Sequence, residues 1–406
     1  MTYIKIISRY IAGLVFIFSG LVKGIDPMGS ILKFIDYFTA FHLDALEPLA
    51  YVLTIILCTS EFIIGFAILT GIRMKAAAWG LLVFMLGFTP LTLYLAIANP
   101  VEDCGCFGDA LVLTNWQTFY KNIIISVFVV VVFVYRKKYK TLSRPGIEWT
   151  AIIIVTAAFI VFTHYNYKHL PVVDFRPYRK GTDIHEKMTI PEGAPVDEYE
   201  TTLIYEKDGE QREFTLENYP SDDTTWTFVD SKTKLIKEGY EPPIHDFSLV
   251  TPEGHDLTDI ILNDTGFNLL MLSIKFSEAD PEYIKKGIEA GLECRDKGIG
   301  FYILTSSAPD FIDDYSQELQ IFYVDETTMK TIIRSNSGFM VVKEGIITKK
   351  WAGRNLPPGN ELPEIIRESY PAKERNRTIV LILIMAGILL ISYITNYIAR
   401  KLNKDK

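Results

Sequence analysis

The chain has 406 residues, a hydrophobic fraction of 49% and a formal net charge of −8. Several apolar runs are long enough to cross a bilayer, so it reads as an integral membrane protein rather than a soluble enzyme. The charge is uneven: residues 166–377 hold 25 Lys+Arg against 39 Asp+Glu, and the remainder 16 against 10. An acidic soluble segment between basic membrane flanks argues against nucleic-acid binding and names the lipid bilayer as a partner.

Residues 4–22 place Lys5 and Arg9 ahead of an apolar run with no small-residue cleavage site after it, so a signal-anchor span is expected. Residues 23–47 are mixed, and Ile31 to Phe41 form an amphipathic stretch expected at the membrane surface. Further spans are expected over residues 48–70, 76–98 (with Pro90 inside), 116–135, 149–165 and 378–398. Lys5 and Arg9, then Arg73 and Lys75, all fall on one side of this six-span arrangement. So do Arg136, Lys137, Lys138, Lys140 and Arg144, and the tail carrying Arg400, Lys401, Lys404 and Lys406. The positive-inside rule then makes both termini cytoplasmic and puts residues 23–47, 99–115 and 166–377 outside. In a bacterium this means the inner membrane, with the large segment in the periplasm.

Within the loop at 99–115, Cys104 and Cys106 are separated only by Gly105, with Gly108 two residues on, in a chain of four cysteines. Bridged cysteines need Cα atoms roughly 4.4–6.8 Å apart, which positions i and i+2 reach only in a bent backbone. Glycine permits that bend. Strained, exposed bridges are the labile or catalytic ones, and the outer side of the membrane is where disulfides persist. A structural bridge or two idle thiols remain the other reading. Asp103 and Asp109 would raise the thiol pKa values by like charge. With His42 they also suggest zinc or copper, but two thiolates one residue apart are an incomplete set, and no metal is expected. Glu61, midway along the second span, requires a partner or a function, and Arg9 is the candidate partner. A structural ion pair and proton or quinone chemistry both remain open there. Cys58, one turn away, reads as an inert core thiol.

Three features resemble the DoxX/MauE-like family of four-helix membrane proteins. They are Phe18-Ser19-Gly20-Leu21-Val22-Lys23 followed by Asp26-Pro27, the carboxylate Glu61 ahead of Gly65, and Asp103-Cys104-Gly105-Cys106-Phe107-Gly108 ahead of span four. The resemblance covers residues 1–140 and implies redox or disulfide chemistry outside the membrane. In the methylamine-utilisation branch this means maturation of a disulfide-rich enzyme subunit, a substrate to which nothing here points. A four-span unit with an extracytoplasmic domain and a last span resembles a form associated with Bacteroidetes.

Residues 166–240 read as a small β region. Leu170 to Lys180 is expected to be extended, and a hairpin is expected around Asp208-Gly209. A second is expected around Asp230-Ser231-Lys232. Residues 241–370 alternate strands (268–275, 299–304, 321–324, 338–343, 346–351) with helices (281–297, 310–319, 326–333), which implies a partly parallel sheet. The order resembles a thioredoxin-like domain, and Pro243 to His255 resembles the lead-in strand of its peroxiredoxin-type branch. The signature Cys-x-x-Cys is absent: Ser277 and Asp280 hold its spacing, and Ser337 stands where the family's late proline is expected. Cys294 is the only thiol of this segment and reads as a small buried hydrophobe.

The fold class expected is therefore an α-helical membrane bundle, a four-helix DoxX/MauE-like unit plus two further transmembrane helices. It carries an extracytoplasmic α/β thioredoxin-like domain and a small β subdomain. The function expected is redox-associated: thiol–disulfide exchange with, or maturation of, an unidentified envelope client through the Cys-Gly-Cys loop. The α/β domain then serves as a binding module. No cofactor is demanded by the sequence, though electrons have a route to a quinone through the bundle. The competing reading is a non-enzymatic scaffold with a structural cysteine pair, and a small-molecule transporter ranks third. No phosphate loop, G-x-S-x-G or H-E-x-x-H motif occurs, which removes several hydrolase and nucleotide-binding classes.

Overall fold

The computed structural model describes residues 2–139, 145–221, 223–237, 239–307, 319–372 and 376–402. Helix α1 (Thr2–Ile25) stops at Asp26-Pro27, where Asp26 accepts the Gly29 N–H and so caps α2 (Pro27–Ala40). A 3-10 turn over Asp44–Leu49 leads into α3 (Ala50–Thr70), followed by α4 (Met74–Ala98). Thr114 and Gln117 form a capping box that starts α5 (Asn115–Val134), and α6 (Pro145–Lys168) follows.

Among the described residues five stretches are long and apolar enough to span: Tyr3–Ile25, Asp44–Thr70, Met74–Ala98, Asn115–Val134 and Pro145–Lys168. Helices α1 and α3 run antiparallel in close contact. A Cβ on Gly20 would lie 2.6 Å from the Cys58 carbonyl oxygen, and one on Gly65 2.6 Å from the Ile17 nitrogen. Small residues let two backbones approach this way where lipid offers no hydrophobic drive. The resulting register sets Glu61 level with the C-terminal half of α1.

Residues Asp183–Phe247 form a separate compact unit. It contains α7 (Ile184–Met188) and the strands β1 (Glu198–Lys207), β2 (Glu210–Thr215) and β3 (Thr227–Lys237), in the antiparallel order β2-β1-β3. The Asp208-Gly209 turn joins β1 to β2 with φ of 55° and 82°, as a type I′ hairpin needs. The hairpin expected around Asp230-Ser231-Lys232 is not there. Those residues continue β3 opposite Ile204, Leu203 and Thr202, and the irregularity is a bulge at Val229. No glycine or positive φ is present in the tripeptide to reverse the chain. Residues 166–182 do not join this unit either. Gly181 donates its N–H to the Ile347 carbonyl and Ile347 donates to Thr182, so this irregular stretch lies along the α/β domain.

That domain opens with α8 (Thr258–Leu262), β4 (Asn268–Ser273), α9 (Pro281–Asp296), β5 (Gly300–Thr305) and β6 (Gln320–Tyr323). It continues through α10 (Glu326–Ile332), β7 (Gly338–Lys343), β8 (Ile346–Ala352) and α11 (Leu362–Arg367), and the chain then enters α12 (Arg377–Leu402). The sheet order is β6-β5-β4-β7-β8, with β4, β5 and β6 parallel and β7 and β8 antiparallel. A βαβ unit followed by an antiparallel hairpin and a helix is the thioredoxin arrangement. Strand β4 is central and buried along its whole length, which explains its unbroken apolar run. Leu269, Met271, Phe339 and Val341 pack with Ile284 and Ile288 of α9 and Ile366 of α11. The lead-in stretch is not a strand: among its residues Val250 alone bridges, to Asp256 and Tyr323. The helix expected over 310–319 lies, but for its last residue, outside the described residues. The expected sixth span falls in α12, whose stretch Thr378–Leu390 is apolar.

Candidate functional site

The loop between α4 and α5 is closed at its base. Asp103 and Thr114 form an antiparallel bridge, and Asn115 Nδ2 donates to Asn99 Oδ1 and to the Val101 carbonyl. Inside it, Asp103 Oδ1 accepts the Gly105 N–H at 2.6 Å, and Gly108 N–H donates to the Gly105 carbonyl. Gly105 has φ of 63°, and a Cβ there would stand 2.8 Å from Lys33 Cγ, so a side chain is excluded on both grounds.

Cys104 and Cys106 are free thiols with their Sγ atoms 2.6 Å apart. Each has its carbonyl fixed by a hydroxyl from another helix. Tyr37 of α2 donates to the Cys104 carbonyl at 2.9 Å, and Ser19 of α1 donates to the Cys106 carbonyl at 2.7 Å. Below the pair, Lys23 Nζ is 2.8 and 2.9 Å from the two Glu61 oxygens and donates to Ser19 Oγ at 3.2 Å. Lys121 lies over the Phe107 ring at 4.2 Å.

These neighbours make the two sulfurs unequal. The hydrogen bond from Cys104 lowers the Cys106 thiol to about 6, with help from the Lys121 and Lys23 charges against the opposing effect of burial. Cys104 moves the other way, well above the ordinary thiol value, because it keeps the shared proton and is buried. Cys104 is buried and Cys106 half-buried.

Two expectations are corrected here. Asp103 and Asp109 do not act on the thiols as bare like charges. Asp103 pairs with Lys33 at 2.9 Å and Asp109 with Arg334 at 2.7 Å, and Cys106 is lowered rather than raised. The partner of Glu61 is Lys23, not Arg9. Arg9 precedes Lys23 by 14 residues on one helix, about 21 Å along its axis. It donates instead to the Ile68 and Leu69 carbonyls, both at 2.6 Å, at the opposite end of α3.

Sequence reasoning missed Lys33, Tyr37, Lys121 and Arg334. A signal for the first two existed, since Ser30, Lys33 and Tyr37 share one face of α2 at helical spacing. Arg334 follows α10 and bridges two parts of the fold. Its Nε is 3.1 Å from Asp26 and its Nη2 2.7 Å from Asp109, while its Nη1 donates to the Lys330 carbonyl.

The turn at Ser277–Asp280 is built quite differently. Ser277 lies in a 3-10 turn, and Asp280 accepts the Glu282 N–H as the N-cap of α9. Asn336 accepts the Ile274 N–H at 2.9 Å and donates to the Lys275 carbonyl at 3.0 Å. The Asn336–Ser337 peptide is cis, and Ser337 accepts the Gly353 N–H. A cavity of about 390 Å³ separates this turn from Met28, Ile31 and Ile35 of α2. Cys294 is fully buried, and burial pushes its thiol up to about 12. Cys58 is likewise fully buried.

Residues 1–135 match the family described as methylamine utilisation protein MauE. Residues 199–238, which cover the three-stranded sheet, match a domain of unknown function (DUF8463). No curated protein matches the chain. Among solved structures, a protein from Neisseria meningitidis described as a candidate thioredoxin is similar at 16% identity and a TM-score of 0.25, over 31% of this chain and 87% of that one. The thioredoxin-like character of the α/β domain rests on its own strand order. Residues 1–135 form a MauE-like membrane unit, joined in a single chain to a thioredoxin-like domain.

Proposed function

We propose that this protein exchanges thiols and disulfides with an envelope client through Cys104 and Cys106. The carrying observation is geometric: two free cysteines with their sulfurs in contact, in a loop whose carbonyls Ser19 and Tyr37 clamp, with the Cys106 thiol lowered and the Cys104 thiol raised by their mutual contact. With the pair as a disulfide, a client thiolate attacks Cys106 Sγ, the S–S bond breaks, and Cys104 leaves and takes a proton. A second client thiolate then attacks the mixed disulfide, forming the client's bridge and releasing Cys106. A leaving thiol of low pKa departs fast. Stabilising the Cys106 thiolate also stabilises the dithiol form, which makes the pair the more oxidising. Asp103, Gly105, Gly108 and Asp109 shape and anchor the loop, and the Lys23–Glu61 pair sets the field beneath it.

The basic flanks support an inner-membrane setting with cytoplasmic termini and the cysteine loop in the periplasm. An impermeant maleimide should then label reduced Cys106 in spheroplasts. Labelling only after the membrane is opened overturns that orientation.

The scaffold reading has one observation in its favour, the Arg334 bridge that seats the α/β domain on the membrane unit. A redox titration of the pair in membranes, read by alkylation and gel shift, separates the two. Exchange requires a reversible two-electron transition. A pair that stays oxidised at every potential is structural.

A further inference from the structure

An apolar cleft of about 570 Å³ begins at Cys104, Gly105 and Cys106 and runs between α2, α3 and α4. Its head is formed by the Cys104–Cys106 loop together with Lys33 and Tyr37. Its walls descend α4 from Leu91 through Phe88 and Phe84 to Val83, about 12 Å along the helix axis. Ile56 and Val83 border it and are 56% and 61% exposed, on helices that qualify as membrane spans. Exposure there means contact with acyl chains. The cleft is thus reached from lipid, ends at a dithiol, and has the size of a small-molecule site.

We propose that this cleft binds a lipid-soluble quinone, which accepts the two electrons of the Cys104–Cys106 dithiol. The inference rests on the exchange reading above and names the acceptor that returns the pair to its disulfide form. A quinone combines a flat apolar ring and tail with two carbonyl oxygens, which matches apolar walls under a head bearing the Lys33 ammonium. A fatty acyl chain would fill the walls but offers the sulfurs nothing to react with. In the step, the Cys104 S–H bond breaks and the S–S bond forms with the Cys106 thiolate, Cys104 supplying one proton and water the other. Two electrons pass from the sulfurs to the ring, and two protons reach its oxygens, so one dithiol and one quinone give one disulfide and one hydroquinone.

Gly87 supplies a test, because it lines the cleft and a Cβ placed there meets nothing within 4 Å. The full chain is placed in phosphatidylcholine nanodiscs free of quinone, reduced, and freed of reductant without oxygen. Decylubiquinone should then oxidise the pair with one hydroquinone formed per disulfide. Gly87→Trp should cut the ratio of the quinone rate to the rate with oxidised glutathione by at least about tenfold. The smaller Gly87→Leu should give an intermediate ratio. If glutathione oxidises the pair and decylubiquinone does not, the acceptor is wrong while the exchange reading stands. An unchanged ratio in Gly87→Trp removes the cleft as the site. If neither reagent oxidises the pair, the exchange reading fails and this inference falls with it.

Discussion

Two turns in this chain occupy positions where thiol chemistry is expected, and they are built oppositely. In the loop between α4 and α5, polar groups from three other helices converge on a cysteine pair. Ser19 and Tyr37 hold its carbonyls, and Lys23 and Lys121 act on its charge. In the turn from β4 to α9, two polar side chains near the expected reactive position serve the architecture. Asp280 caps a helix, and Asn336 takes up the backbone groups at the end of β4. A thioredoxin-like sheet is therefore present without the cysteines of a thioredoxin site, and the paired cysteines sit in a helical bundle instead. Function follows the groups converging on a site, not the fold that carries them.

The strongest way to break this contrast is to remove the sulfurs. Cys106→Ser should abolish client exchange, and Cys104→Ser, given the client in its disulfide form, should stop at a mixed disulfide with Cys106 that non-reducing gels can trap. Ser277→Ala should leave both exchange and redox state untouched. Normal exchange by the Cys104→Ser, Cys106→Ser double variant would hand the function to the scaffold reading.

The inequality of the two thiols is sharpened by pH. A thiol lowered from about 9 to about 6 carries its thiolate above pH 6 and loses it below. The iodoacetamide rate at Cys106 should therefore rise through a midpoint near pH 6 and level off by neutrality. Below pH 6 it should still exceed an ordinary thiol, because the larger thiolate fraction outweighs the lower nucleophilicity of a low-pKa thiolate. Lys121→Met removes one of the lowering charges and should move the midpoint upward. A midpoint near 9 in the unaltered protein would mean that neither the Cys104 contact nor the lysines lower the Cys106 thiol.

The buried pair under the loop comes next in size. Glu61→Gln leaves the Lys23 ammonium in a site where both side chains are almost fully covered, 5% and 7% exposed. Breaking such a pair from one side costs about 3–5 kcal/mol. Lys23→Met with Glu61→Gln should recover part of that loss in a double-mutant cycle of thermal unfolding, whereas Arg9→Gln with Glu61→Gln should simply add. Coupling between Arg9 and Glu61 would contradict the register of α1 on α3.

That pair shows where the sequence was legible and where it was not. Apolar runs, the Asp208-Gly209 turn and the Asp103–Gly108 string are local signals, and each marked its element. Choosing Lys23 over Arg9 depends on how α1 and α3 slide past each other, which Gly20 and Gly65 fix by close contact. Nothing in the spacing of charges carries that register. Arg334 is 308 residues from Asp26, so its role exists only once the sheet is folded against α2. The straight course of β3 was hidden for the opposite reason. Asp230-Ser231-Lys232 has turn composition, and the pairing with β1 overrides it.

Arg334→Met tests whether that long-range bridge holds the two halves together. It strands Asp26, 6% exposed, and Asp109, 36% exposed. The more open Asp109 regains water, so the loss should fall at the lower end, about 3 kcal/mol. Faster proteolysis between α6 and β4, with the cysteine pair still titrating, is the expected result. Unaltered proteolysis would mean that the apolar contacts of α2 suffice.

The smallest expected effect lies in the unreactive turn, and it bears most directly on the comparison. Asp280 stands where a second active-site cysteine is expected, yet its carboxylate accepts the Glu282 N–H at 3.0 Å and starts α9 just before Pro281. Its work is that of an N-cap, and removing such a cap costs about 1 kcal/mol. Asp280→Ala should lower the unfolding temperature slightly, and Asp280→Ser should restore most of the difference, because a hydroxyl caps almost as well. Neither should change the redox midpoint of Cys104 and Cys106 or the rate of client exchange. The two readouts separate the roles, since stability follows the cap while exchange follows the sulfurs. If Asp280→Ser keeps the stability but slows exchange, the turn takes part in the chemistry, and the division between a reactive loop and an architectural domain is wrong.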